Sequence, residues 1–158
     1  MDKVQATIPE GEDCGFQEFF DSVDALVIGR KSYQKVLTFG HWPYGNKPVI
    51  VLSSNPLEIP DALSDTVSSS SESPTSLHRR LSGDGLKRLY IDGGITIQRF
   101  MEEGIISDLT ITVIPVLLGS GIPLFGMLKN DVLLQHIDTI SYDFGIVQLI
   151  YQVHTTSA

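Results

Sequence analysis

Three stretches of this chain put phosphate-binding residue types at the end of an apolar run: VIGRKSY (Val27 to Tyr33), VLSSNP (Val51 to Pro56) and IDGGITIQ (Ile91 to Gln98). In the first, Gly29 is followed by the cations Arg30 and Lys31 and by the hydroxyl of Ser32. That set suits a diphosphate when backbone N–H groups gather at a helix start. A capped helix with two solvated basic residues is the plainer reading of the same letters. In the second, Ser53 and Ser54 could donate to a further phosphate or simply open a turn. In the third, Gly93 and Gly94 would let a bulky ligand approach the main chain, although a tight turn needing positive φ also asks for glycine. Each signal is weak alone. At successive strand ends of an acidic chain, they suit one dinucleotide better than three unrelated turns.

The hydrophobic pattern supplies the elements that must position these groups. Gly15 to Ser22 predicts a short helix with Phe16, Phe19, Phe20 and Val23 as its apolar face. Ala25 to Gly29 is a buried strand, Arg30 to Leu37 a helix with Ser32 at its cap or first turn, and Pro48 to Ser54 a second strand, apolar enough to be covered on both faces. The Pro- and Ser-rich stretch from Asn55 to Ser76 reads as loop around a short strand at Thr66 to Ser69. A helix over Leu77 to Leu81 ends in GDG. Leu89 to Asp92 then forms a strand, the glycine corner follows, and Ile97, Phe100 and Met101 repeat at helical spacing. Asp108 to Leu118 and Val147 to Val153 are β-branched strands, with a shorter one near His136 to Ser141. The order predicts an α/β fold with a mixed, mostly parallel sheet and antiparallel strands at its C-terminal end. A ligand of such a sheet belongs beyond the carboxyl ends of the parallel strands.

Composition bounds the alternatives. A chain of 158 residues, 42% hydrophobic and 19% charged, predicts one globular domain spanning 1–158. Its net charge of -8 argues against nucleic-acid partners or an acidic membrane surface, which need clustered cations. Cys14 is the only cysteine, and His41, His78, His136 and His154 are scattered, so no metal site is expected. The opening MDKVQATIPEGEDCG is polar and acidic rather than signal-like, and LTITVIPVLLGSGIPLF is broken by Thr, Pro, Ser and Gly. A cytoplasmic location is the expectation.

VIGRKSYQKVL, the FGHWPYG loop, KPVIVLSS and RLYIDGGITIQRFMEEGIISDLTITVIPVLLGSGIPLF together resemble the dihydrofolate reductase superfamily. Within it they are most similar to the branch holding the reductase half of bifunctional riboflavin-biosynthesis deaminase-reductases. The similarity runs from about Glu10 to Val153. It implies a three-layer α/β sandwich around a central mixed sheet, and a homodimer. It further implies an NADPH-dependent reductase acting on a pterin or a 5-amino-6-ribosylaminouracil type of acceptor. By that resemblance Gly29, Arg30, Lys31 and Ser32 would hold cofactor phosphate. Leu52, Ser53 and Ser54 would face the adenosine 2′-phosphate, and Asp92, Gly93, Gly94, Ile95, Thr96 and Gln98 would surround the pyrophosphate. Pro115, Leu118, Gly119, Gly121 and Phe125 would lie near substrate or the dimer contact, with ordinary core and turn as the even alternative; Trp42 and Tyr44 could stack on a substrate ring, although an aromatic in a Pro/Gly loop more often packs over a core edge.

One departure bears on chemistry. Relatives of this branch begin with an apolar strand running into a Ser-Leu-Asp-Gly-like turn, and the sequence carries no counterpart, a shortening of roughly twenty residues. That strand would stand beside Arg88–Asp92 and Asp108–Leu118; Val4, Ala6 and Ile8, which alternate with polar residues, could substitute for it. Hydride transfer to a C=N or C=O bond also needs a proton source. Glu10, Glu12, Asp13, Glu18 and Asp21 are the nearby carboxylates, and their spacing singles out none, so no catalytic residue is assigned. The alternatives are a catalytically silent nucleotide-binding or dimerising module on the same scaffold, or an α/β protein without a nucleotide ligand.

Overall fold

The computed structural model describes residues 8–154, in element order α1 (Phe16–Asp21), β1 (Ala25–Gly29), α2 (Arg30–Leu37), β2 (Val49–Leu52), a 3-10 turn (Asp61–Leu63), β3 (Val67–Ser70), α3 (Pro74–Gly83), β4 (Leu89–Asp92), α4 (Gly94–Glu102), β5 (Asp108–Val113), β6 (Leu134–Ser141) and β7 (Val147–Val153). The chain forms two compact units, one of Gln17–Ile105 and one of the flanking segments. The first contains a parallel sheet in the order β3-β2-β1-β4, the second an antiparallel sheet in the order β5-β7-β6. This is the mixed α/β class expected, with the parallel strands first and the antiparallel ones last.

In the parallel unit, sequence dictates which strands are central. Ala25, Leu26, Val27 and Ile28 are wholly buried, as are Val49 and Val51, because β1 and β2 carry no polar side chain to turn outward. Burying each Val, Leu or Ile side chain among them contributes about 1.5–3 kcal/mol. β3 closes the sheet with only Val67 buried and its serines at the edge. The helices attach by short apolar stripes at helical spacing: Tyr33 and Val36 from α2, Pro74, Leu77 and Leu81 from α3, Thr96, Phe100 and Met101 from α4.

Boundaries differ from the expectations where local chemistry intervenes. β5 stops at Val113 rather than Leu118, since Pro115 has no N–H to continue a ladder. β2 ends at Leu52, though Ser53 still donates its N–H to Ser70 O at 3.0 Å. α3 starts at Pro74 instead of Leu77: the Ser73 side chain caps it by accepting from Ser76 N–H at 3.3 Å, and proline suits the first turn. β6 starts at Leu134 and carries an irregularity between His136 and Asp138. Among the described strands β4 pairs with β1 and β5 with β7, so each is an edge. Of the substitute-strand residues, Val4 and Ala6 lie outside the described residues, and Ile8 sits in a bend.

The flanking unit is organised by Gln148, buried on β7. Its Nε2 donates to Cys14 O at 2.9 Å and to Thr112 Oγ1 at 3.2 Å, while its Oε1 accepts from the Tyr142 hydroxyl at 3.2 Å. A buried amide satisfied on both ends fixes the loop around Cys14 against β5 and β7. Among the described residues no helix is long and apolar enough to cross a membrane.

Candidate nucleotide-binding site

The chain leaves β1 to build β2 and β3 on one side, then returns to place β4 on the other. The carboxyl ends of β1 and β4 therefore flank the point where strand order reverses, the place where open α/β sheets bind their ligands. Register puts Ile28 beside Asp92, Gly29 beside Leu52, and Leu52 beside Ser70. The three strand ends singled out by sequence thus stand in one row.

At that row the two glycine corners are in contact. A Cβ built on Gly29 would lie 2.8 Å from Thr96 Oγ1, and one built on Gly93 would lie 2.8 Å from Ser32 Oγ. At either position a Cβ would force the facing hydroxyl to shift, so the first turns of α2 and α4 pack closely together. Gly93 also has φ +94, in the region that favours glycine, whereas Gly94 meets nothing within 4 Å. Gly29 is the N-cap of α2 and Ser32 lies in its first turn rather than at the cap. The first intrahelical bond of α4 runs from Ile97 N–H to Gly93 O at 2.8 Å, so the N–H groups of Gly94, Ile95 and Thr96 precede the helical ladder. One expected donor is otherwise engaged: Gly93 N–H donates to Asp92 Oδ1 at 2.7 Å.

Beyond the ends of β2 and β3 lies a cleft of about 260 Å³, lined in part by Arg30, Ser53, Ser54, Ser70, Glu72 and Arg99. Arg30 Nη1 donates to Pro56 O at 3.1 Å and to Ser53 Oγ at 3.3 Å, and Ser53 Oγ donates to Asn55 O at 2.8 Å. The Arg30 guanidinium is thereby fixed on the cleft wall while keeping donors in reserve. Glu72, the acidic member, is held in an ion pair by Arg80 at 2.7 Å. Hydrogen bonds from Arg80, then from Ser70, hold its carboxyl below the usual carboxylate range.

Of the other expected residues, Lys31 and Ile95 are exposed and Gln98 is half-buried on α4. Arg99, one position on, lines the cleft instead. It carried a signal that the residue reading passed over: a cation on the helix opened by the glycine pair. Ser70 and Glu72 belong to a serine-rich stretch whose register with β2 the letters alone do not encode. Trp42 packs edge-on against Tyr44 at 5.0 Å and Tyr33 at 6.2 Å, over the edge of the core. Burial pushes the Tyr33 hydroxyl up, and burial, then Asp92 and Tyr44, push the Tyr90 hydroxyl well above its ordinary value. In the flanking unit, Pro115, Leu118, Gly119 and Gly121 are exposed and Phe125 half-buried, all on the segment after β5. Glu12, Asp13 and Asp21 accept from Cys14 N–H, Gly15 N–H and Gln17 Nε2, which gives them roles in local turns and α1.

Comparisons with known proteins agree with this architecture. The model of the RibD C-terminal domain matches residues 7–147. YwjB of Bacillus subtilis strain 168, an uncharacterised protein, is 38% identical over 126 residues, 77% of this chain and 70% of YwjB. A solved structure from Shewanella sp. PV-4, assigned to riboflavin biosynthesis, superposes with a TM-score of 0.87 at 37% identity, covering 94% of this chain and 84% of that one. The Thermotoga maritima diaminohydroxyphosphoribosylaminopyrimidine deaminase/5-amino-6-(5-phosphoribosylamino)uracil reductase shares the fold, with a TM-score of 0.70 at 11% identity over 93% of this chain and 50% of that one. With a family model spanning most of its length and a fold that places both glycine corners at the sheet's switch point, the chain belongs to the RibD C-terminal domain family.

Proposed function

We propose that this protein is an NADPH-dependent reductase that delivers a hydride to a small heterocyclic or imine-like acceptor of the pterin or ribosylaminouracil type. The observation that carries the reading is the contact of Gly29 and Gly93 with Thr96 and Ser32 at the strand-order reversal. That contact brings the first turns of α2 and α4 together, and Gly94, with nothing within 4 Å of its missing Cβ, leaves main chain open there for a pyrophosphate. NADPH would supply the hydride itself. The chain's own residues bind and orient: Ser32 and the amides of Gly94, Ile95 and Thr96 would meet the pyrophosphate, and Arg30, Ser53, Ser54 and Arg99 the 2′-phosphate. Two cations and several hydroxyls in one cleft favour the phosphorylated dinucleotide over NADH. No side chain is assigned as the proton donor.

We also propose that the protein works as a homodimer through the flanking unit. Leu117, Ile122 and Met127 are almost fully exposed, Val113, Leu118, Leu124, Leu133 and Ile137 largely so, and β6 is exposed along its whole length. From Leu109 to Ile137 only Lys129 and Asp131 are formally charged, so this face can meet its copy without the repulsion expected of a chain of charge -8. Sedimentation of the wild type against Ile122→Glu tests it: a dimer converted to monomer is expected, and a wild-type monomer at micromolar concentration contradicts it.

Calorimetric titration with NADPH and NADH, followed by absorbance at the reduced nicotinamide band with pterin and pyrimidine-riboside acceptors, tests the enzymatic reading. NADPH binding with acceptor-dependent oxidation is expected. Failure to bind either coenzyme defeats it, and binding without oxidation across the panel would favour the silent module.

A further inference from the structure

The cleft beside β2 and β3 contains a group that ought to oppose an anion. Among the described residues Glu72 is the one carboxylate on a wall that carries Arg30, Arg99 and four serines beside Leu52 and Asn55. Left to itself it would repel a phosphate dianion and offer an acceptor to an unmodified ribose hydroxyl, which is the opposite selectivity. It is not left to itself. Glu72 Oε2 accepts from Ser70 Oγ at 2.8 Å, from Arg80 Nε at 2.9 Å and from Arg80 Nη2 at 2.7 Å, so its charge and one oxygen are committed to the side chain behind it. Arg80 sits on α3, does not line the cleft, and is itself aligned by Asp84 one turn on, at 3.8 Å.

We infer that Arg80 is a positioning residue that sets the preference of this cleft for a 2′-phosphorylated ribose by keeping the Glu72 carboxylate paired. The inference rests on the reading of the cleft as the 2′-phosphate site. Arg80 reaches the cleft through Glu72 and does not line it, which makes its effect separable from the phosphate contacts of Arg30, Ser53 and Arg99. Freed from Arg80, Glu72 raises the energy of the bound phosphate and leaves the rest of the adenylate untouched.

The test is a double-mutant cycle read with two ligands that differ by one group, adenosine 2′,5′-bisphosphate and 5′-AMP, titrated calorimetrically at fixed ionic strength. Arg80→Gln is expected to weaken the bisphosphate about three- to tenfold, as befits a partly exposed pair, and to leave 5′-AMP within about twofold. Arg80→Gln combined with Glu72→Gln is expected to restore the wild-type ratio, and Arg80→Lys to recover part of it. Equal weakening of both ligands, or no recovery in the double variant, would overturn the inference while leaving the cleft assignment standing. A wild type that binds the two ligands equally would instead remove the 2′-phosphate reading and the inference with it. Circular-dichroism melts of all variants separate loss of fold from loss of selectivity.

Discussion

Ser32 and Gly93 are in close contact: a Cβ on Gly93 would come within 2.8 Å of the Ser32 hydroxyl oxygen, which would have to shift. Ser32 lies in the first turn of α2, after β1, and Gly93 caps α4, after β4, so the two are far apart in sequence. Their contact is what turns two separate strand-helix corners into one surface.

Gly93→Ala is therefore expected to lower stability by about 1–3 kcal/mol, because φ +94 is strained for any residue with a Cβ and the new methyl meets Ser32. Adding Ser32→Ala removes the steric part and leaves the backbone part. Urea unfolding of the single and double variants measures both, and NADPH affinity should fall in each.

Gly29→Ala isolates the packing component. Gly29 has φ -79, an ordinary value, so only the 2.8 Å approach to Thr96 Oγ1 opposes the substitution. A cost of about 1–3 kcal/mol is expected, recovered in large part by Thr96→Ala. If Thr96→Ala gave no recovery by thermal unfolding, the two corners would not be touching as described.

Asp24 predicts a pH dependence. Its Oδ2 accepts from Lys87 N–H at 2.7 Å and Arg88 N–H at 2.8 Å, and these backbone bonds, from Arg88 first and Lys87 second, hold its pKa below the ordinary 3.8. A depressed folded-state pKa stabilises above the unfolded value, and the contribution fades as pH falls through the folded one. The stability gap between wild type and Asp24→Asn should be constant from neutral pH down to about pH 4 and shrink below it, as measured by denaturant melts across that range.

How much of this was legible in the letters varies by element. β1, α2, β4 and β7 lie nearly residue for residue where their patterns place them: β1 is an unbroken buried run, and glycines mark where β1 and β4 give way to helices. The ends of α3 and β5 depart from their patterns for opposite reasons: Ser73-Pro74 is a helix start hidden in a stretch that reads as loop, and Pro115 halts a ladder inside a stretch that reads as strand. The glycine corners were visible as candidates. Their mutual contact was not, since it depends on β4 returning to the far side of β1. The cleft residues Glu72 and Arg99 escaped notice because a lone Glu or Arg has many uses until its neighbours are known.

A crystal structure of the protein grown or soaked with NADPH tests the coenzyme site head-on. The pyrophosphate is expected against Gly29, Gly94 and the first turn of α4, with the 2′-phosphate between Arg30, Ser53 and Arg99. A coenzyme bound away from the Gly29–Gly93 contact, or with its 2′-phosphate outside that cleft, would contradict it.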